Sequence, residues 1–306
     1  MARRTRSRIK FWFTCQMERI ELTLADGRKL EITTAGTPGS KAVVFHHGTP
    51  GATSTWDEWL KVVEAQGGFA IAYSRPGYGT SSRHLGRTVV DNASDIAEVL
   101  QHFGVQKIVS IGWSGGGPHC LADTTLEHSV AVISIAGVGE FGASDLNFLD
   151  GMGEENHVEF GAATKGSAAI ENWMIENSPP IAVVTSEQIV EAFGGLIGEA
   201  DKTALNEGAA EGTAKSYRQA LVEGYYGWMD DDLAFVEPWG FDISQINVPV
   251  ELWQGNDDFM VPHAHGYWLE SKIPTAKLNF VPGEGHISLG ENKRGEIISN
   301  ALNYLA

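Results

Sequence analysis

Residues 108–120 read IVSIGWSGGGPHC, which places Ser114 among Gly112, Gly115, Gly116 and Gly117. Each glycine inside a regular element costs about 1 kcal/mol relative to alanine, so four around one polar residue imply a backbone that needs room. GWSGG fits G-x-S-x-G, a pattern that holds a serine nucleophile on a tight turn between a strand and a helix. The context agrees. A buried-type apolar run precedes the serine, and GGPHCLADTTLE follows as a helix with Pro118 tolerable in its first turn.

A serine hydroxyl attacks only when a base takes its proton. Of ten histidines, His102 and His128 lie beside helix-like surface positions, and His263 and His265 fall at the start of a helix. His286 differs: VPGEGHISLG sets it on a glycine-flanked loop just past the last apolar run, where sheets of this kind carry function. An orienting carboxylate is expected on another strand-end loop, and WQGNDDFMVP supplies Asp257 and Asp258, one of them a solvated turn residue. The chain order is serine, aspartate, histidine.

These loops need strands to carry them. Apolar runs recur at 42–47, 69–74, 107–113, 131–137, 248–255 and 276–283, near-continuous rather than alternating. That is the pattern of parallel strands covered on both faces. Between them, residues 89–105 space Ile96, Val99, Leu100 and Phe103 as one helical face that stops at Gly104. The alternation predicts an α/β fold with a mostly parallel sheet flanked by helices. The two N-terminal strands, joined at Asp26-Gly27, form an antiparallel hairpin at its edge. The rhythm breaks between 138 and 240, a segment that reads as an inserted helical unit and includes a helix over 214–229. GVGEFG at 137–142 matches a dinucleotide fingerprint, but no second strand ending in an acidic residue follows, so its glycines read as the hinge into the insertion.

The chain has 306 residues, 42% of them hydrophobic, enough for a large core. The formal charge of −17 argues against a nucleic-acid partner. The acidity is concentrated: residues 137–240 hold 19 Asp/Glu against 4 Lys/Arg. Either it is a solvated face that aids solubility, or it focuses a negative potential at an entrance. No apolar run is long enough to span a bilayer. Residues 1–18 read as a disordered tail. Two cysteines, Cys15 and Cys120, lack metal-type spacing and require no oxidising compartment, so a cytoplasmic protein acting on a small molecule is expected, with no metal and no cofactor. Trp173, Phe193, Tyr217, Tyr225, Tyr226 and Trp228 in the insertion are either core of the helical layer or the lining of a pocket.

Five segments in order make the sequence resemble the α/β-hydrolase superfamily. HHGTPG resembles its H-G-x-P oxyanion loop through His47, Gly48, Thr49 and Pro50, and YSRPGYGTS its R-P-G-x-G-x-S segment. GWSGGG matches the elbow, GNDDFMVP the G-x-x-D-x-x-V-P loop, and GEGH the histidine loop. The resemblance implies Asp258 as the acid and the backbone N–H groups of Thr49 and Gly115 as oxyanion donors. It also implies a core of residues 19–137 and 239–306, roofed by a helical cap over 138–238. The implied activity is a serine hydrolase that cleaves a small carboxylic ester through an acyl-enzyme. Serine at 114 separates the chain from epoxide hydrolases and haloalkane dehalogenases, which carry aspartate there. Proline iminopeptidases carry a similar H-G-G-P-G loop but a G-G-S-W-G elbow; an aminopeptidase of that kind is the alternative. A non-catalytic ligand-binding protein on the same fold would tolerate loss of a triad member, and all three candidates are present here.

Overall fold

The computed structural model describes residues 17–306. The expected tail and Cys15 therefore lie outside the described residues, apart from the last residues of the tail, where β1 begins. Eight strands form one sheet: β1 (Glu18–Thr23), β2 (Lys29–Ala35), β3 (Lys41–His46), β4 (Ala70–Tyr73), β5 (Lys107–Trp113), β6 (Ser129–Ile135), β7 (Val250–Gly255) and β8 (Ala276–Val281). Their spatial order is β1-β2-β4-β3-β5-β6-β7-β8. The β1–β2 and β2–β4 pairs are antiparallel and the other five parallel. The hairpin thus sits at one edge, as its Asp-Gly turn predicts.

Helices cover both faces. On one, α1 (Asp57–Ala65) and α11 (Ser288–Leu305) bury Leu60, Val63, Ile297 and Ile298 against Val43, Phe45, Val109 and Ile111. On the other, α2 (Asp91–Phe103) packs Ile96, Val99 and Leu100 on Ala42, Val44 and Ile71. There α3 (Gly116–Ala122) and α10 (Ala264–Lys272) also pack, through Leu121 and Leu269. Alternate residues of β3 serve opposite layers, which is why its sequence is apolar throughout rather than every second residue.

Between β6 and β7 six helices replace the strand rhythm: α4 (Glu154–Ala163), α5 (Ser167–Ala182), α6 (Ile189–Phe193), α7 (Glu199–Ala204), α8 (Ala210–Ala220) and α9 (Tyr226–Phe235). They form an inserted helical cap with its own apolar clusters around Ile170, Met174 and Trp228, and around Ile189, Phe193 and Tyr217. The single helix expected over 214–229 is two. Helix α8 ends at Ala220, α9 starts at Tyr226, and Gly224 between them has φ of +113°, outside helical geometry. Among the described residues no helix is long and apolar enough to cross a membrane.

The cap's charge divides. Of its 19 carboxylates twelve are exposed, which fits a solvated face, but Asp201, Asp230, Asp231 and Asp232 are buried. Most of the acidity faces water, and a minority is built into the interior.

Candidate active site

Ser114 follows β5 directly and has φ of +57°, one of two non-glycine residues among the described ones in the left-handed region. Such a conformation costs on the order of 1–3 kcal/mol and persists only where the surroundings enforce it. The neighbouring glycines show how they do so. A Cβ at Gly112 would overlap the Gly116 carbonyl, and a Cβ at Gly116 would stand 2.7 Å from the His47 carbonyl oxygen. The chain can reverse from β5 into α3 this closely only without side chains at those two positions.

The loop after β3 comes up against this corner. A Cβ at Gly48 would lie 3.4 Å from Ser114 Cβ, and a Cβ at Gly115 would lie 2.9 Å from Thr49 Cβ. Thr49 and Gly115 are therefore neighbours beside the serine. Neither backbone N–H has a hydrogen-bond partner among the described residues. The Thr49–Pro50 bond is cis.

His286 and Asp258 meet in the interior. His286 Nδ1 donates to Asp258 Oδ2 at 2.8 Å, with both side chains buried. Asp258 Oδ1 in turn accepts from the N–H groups of Met260 (3.0 Å) and Val261 (2.7 Å), so it is fixed as an acceptor and leaves His286 Nε2 as the free nitrogen. Burial works against a charge on His286, but the Asp258 carboxylate and its hydrogen bond, together with Asp201, outweigh it and raise the pKa above the usual histidine value. Trp113, the residue before Ser114, donates its Nε1–H to the His286 carbonyl at 3.0 Å, and its ring centroid lies 5.1 Å from that of His286. No hydrogen bond joins Ser114 Oγ to His286 among the described residues. Such bonds often tighten only when substrate is bound.

Beneath the Thr49 loop is an ion-pair network that the sequence does not advertise. Arg75, fully buried, bonds Asp231 Oδ2 at 2.6 Å and donates to the carbonyls of His47 and Gly48. Asp231 also takes Arg87 at 2.6 Å, Tyr78 at 2.9 Å and the Thr49 hydroxyl at 2.7 Å. Burial would raise the Asp231 carboxyl, but the Arg75 and Arg87 guanidinium groups hold it well below the usual range. Arg75 falls in the RPG segment and Asp231 in the triplet Asp230-Asp231-Asp232 of an otherwise apolar stretch. Three consecutive acids inside a buried helix were the available signal.

The other residues singled out by sequence distribute as follows. Asp257 is not merely solvated: its Oδ2 accepts from Ala200 N in α7 at 3.0 Å. His265 is buried and bridges Gly139 N and the Phe148 carbonyl at 2.9 Å each, a structural role. Of the six cap aromatics, Trp173, Phe193, Tyr217 and Trp228 line a cavity of about 360 Å³ that also contains Ser114, Thr49 and Gly115. Tyr226 is exposed and stacks under Arg83 at 4.1 Å. Phe193, Tyr217 and Trp228 are buried as well, so core and pocket are one set of residues.

Two carboxylates line the same cavity. Trp228 Nε1 donates to Glu159 at 2.6 Å, while Asp232, 1% exposed, has an Oδ2 with no partner. Burial pushes Glu159 up to about 7, and burial together with the Glu159 charge pushes Asp232 well above the usual range.

Comparison with known proteins places this architecture. Residues 41–129 match the alpha/beta hydrolase fold family. Over 267 residues the chain is 24% identical to a non-heme haloperoxidase of Rhodococcus erythropolis, covering 87% of this chain and 92% of that one. It is 24% identical over 285 residues to a proline iminopeptidase of Neisseria gonorrhoeae, covering 82% and 84%. Among solved structures, a thermophilic esterase from Thermogutta terrifontis superposes with a TM-score of 0.67 at 20% identity, over 94% of this chain and 97% of that chain. With its parallel sheet, its strained Ser114 corner and its six inserted helices, the chain carries the alpha/beta-hydrolase superfamily fold with a helical cap.

Proposed function

We propose that this protein is a serine hydrolase that cleaves a small carboxylic ester through an acyl-enzyme. Ser114 attacks the carbonyl, His286 Nε2 takes the serine proton and returns it to the leaving group, and Asp258 orients His286 and stabilises its charged form. The N–H groups of Thr49 and Gly115 hold the developing oxyanion, and water then releases the acyl group. The observation that supports this reading best is the buried 2.8 Å His286–Asp258 bond together with a serine held at positive φ in an aromatic-walled cavity. No step requires a metal or cofactor. The division into a core of 19–137 and 239–306 and a cap of 138–238 follows the same reading. A cytoplasmic location fits the free, buried thiol of Cys120.

The test is hydrolysis of p-nitrophenyl esters, abolished by a serine-directed fluorophosphonate that labels Ser114. Failure to label would overturn the mechanism.

Glu159 and Asp232 favour a second reading, an aminopeptidase of the proline iminopeptidase kind whose cap carboxylates hold the substrate's free amine. Two adjacent carboxyl groups inside an aromatic-walled cavity suit an ammonium group, whose charge favours their ionised forms. A panel of esters set against prolyl-arylamides decides between the two.

A further inference from the structure

We propose that cap helix α7 holds the acid and base loops in place, with Asp201 as the positioning residue for His286. This rests on the reading of Ser114, Asp258 and His286 as the working triad.

Asp201 is a buried cap carboxylate that accepts three backbone hydrogen bonds from the core. Its Oδ2 accepts from His286 N at 2.9 Å, and its Oδ1 accepts from Ile287 N at 2.8 Å and Ser288 N at 2.9 Å. Those N–H groups belong to the histidine loop and the start of α11, whose first donors have no partner within the helix. The tie is reciprocated. Asp257, next to Asp258, accepts from Ala200 N in α7, and Ile197 forms an antiparallel bridge with Asp258 itself. One short helix therefore gives a carboxylate to the base loop and takes one from the acid loop.

Two glycines mark the same contacts. A Cβ at Gly285 would stand 2.5 Å from the Asp201 carboxylate carbon, and a Cβ at Gly198 would overlap the Asp257 carboxylate. Neither glycine has positive φ, so space rather than backbone conformation explains the residue at each position. Glycine before His286 is there because a cap side chain fills the place of its Cβ.

The placement also bears on charge. Two ionisable groups face His286: Asp258 from the loop after β7, and Asp201 from α7. From the end of β5 it meets the uncharged indole of Trp113. Glu284 of its own loop is turned to Asn292. Asp201 therefore supplies a second negative charge near the imidazolium that forms when His286 accepts the serine proton, besides fixing the loop that carries the ring.

The experiment compares the wild-type full chain with Asp201→Asn and Gly285→Ala, each checked for an unchanged thermal melt, using a p-nitrophenyl ester and fluorophosphonate labelling. Asp201→Asn keeps the shape and removes the charge. Gly285→Ala keeps the charge and pushes the carboxylate aside. Displacing reacting groups by an ångström costs up to about 100-fold, so kcat should fall roughly 10- to 100-fold in both with KM within about threefold. In Asp201→Asn the acid limb of kcat/KM should also move to lower pH, because losing a negative neighbour lowers the pKa of His286. A merely structural role would not move that limb. Wild-type kcat in both variants, or a drop in kcat with an unmoved limb in Asp201→Asn, would overturn the proposal while Ser114 labelling of the wild type keeps the triad intact. A wild type that is not labelled at Ser114 would overturn both.

Discussion

Thr49 Oγ1 donates to Asp231 Oδ2 at 2.7 Å, so the loop bearing one of the two proposed oxyanion donors is fastened to cap helix α9. The same carboxylate pairs with both Arg75 and Arg87 out of contact with water. Removing one partner of a buried ion pair strands the others, which costs about 3–5 kcal/mol. Asp231→Ala should therefore lower the free energy of unfolding by that amount, read as a lower urea midpoint at unchanged m, and lose activity with it. Because the folded pKa of Asp231 is depressed, its stabilisation is present above the ordinary carboxylate pKa and is lost only as pH falls through the folded value. Acid unfolding of the wild type should draw on it late, and Asp231→Ala should lack that component.

Ser114→Ala should abolish ester turnover while leaving the thermal melt near that of the wild type; His286→Ala should abolish it too but also lower the melt, because it strands the buried Asp258 carboxylate. Retained turnover in a well-folded Ser114→Ala would refute the mechanism.

The adjacent aspartates should separate. Asp258→Asn should lower kcat on the order of 10⁴-fold, the size seen when an orienting carboxylate is neutralised. Asp257→Asn keeps an acceptor oxygen for Ala200 and should be mild. The reverse ranking would mean that the acid has been assigned to the wrong residue.

The pH profile follows from the raised pKa of His286. The base must be neutral to accept the serine proton, so kcat/KM should rise with pH through a limb lying above the ordinary histidine value. Asp258→Asn should move that limb down. For stability the sign is opposite: the His286–Asp258 pair contributes fully below the unfolded histidine pKa, and the contribution fades as pH rises through the folded one.

Charge preference should identify which carboxylates substrate meets. The twelve exposed cap acids are screened by salt, whereas Glu159 and Asp232 in the cavity are screened far less. We expect kcat/KM for a cationic ester to exceed that of its anionic isostere above about pH 7, where Glu159 is ionised, and the ratio to persist at high ionic strength. Glu159→Gln combined with Asp232→Asn should bring the ratio toward one. A ratio that vanishes with salt in the wild type would assign the effect to the outer surface instead.

Much of this was legible because strand-end loops are local. Ser114 directly follows the β5 run, and Asp258 and His286 lie within five residues of the ends of β7 and β8, so finding the strands finds the candidate residues. Strand limits shifted by one or two residues, as at β6, where buried apolar side chains continue beyond the last ladder bond. The broken helix at Gly224 was missed because the flanking sequence keeps a helical composition. Arg75 and Asp231 had only weak local signals, the RPG segment and the aspartate triplet, and Asp201 had none. Their roles depend on contacts between elements 85 to 156 residues apart, and a buried carboxylate reads like a solvated one until its partner is known.

The insertion between β6 and β7 also fixes an order in time. Ser114, Thr49 and Gly115 are translated before the cap, while Asp258 and His286 come after it on the loops that follow β7 and β8. A nascent chain stalled between residues 239 and 285 would carry a nucleophile and a roof but no base. Such a fragment cannot acylate itself or attack esters around it. Reactivity arrives with the segment that follows the cap, once the helices that roof the serine have already been made.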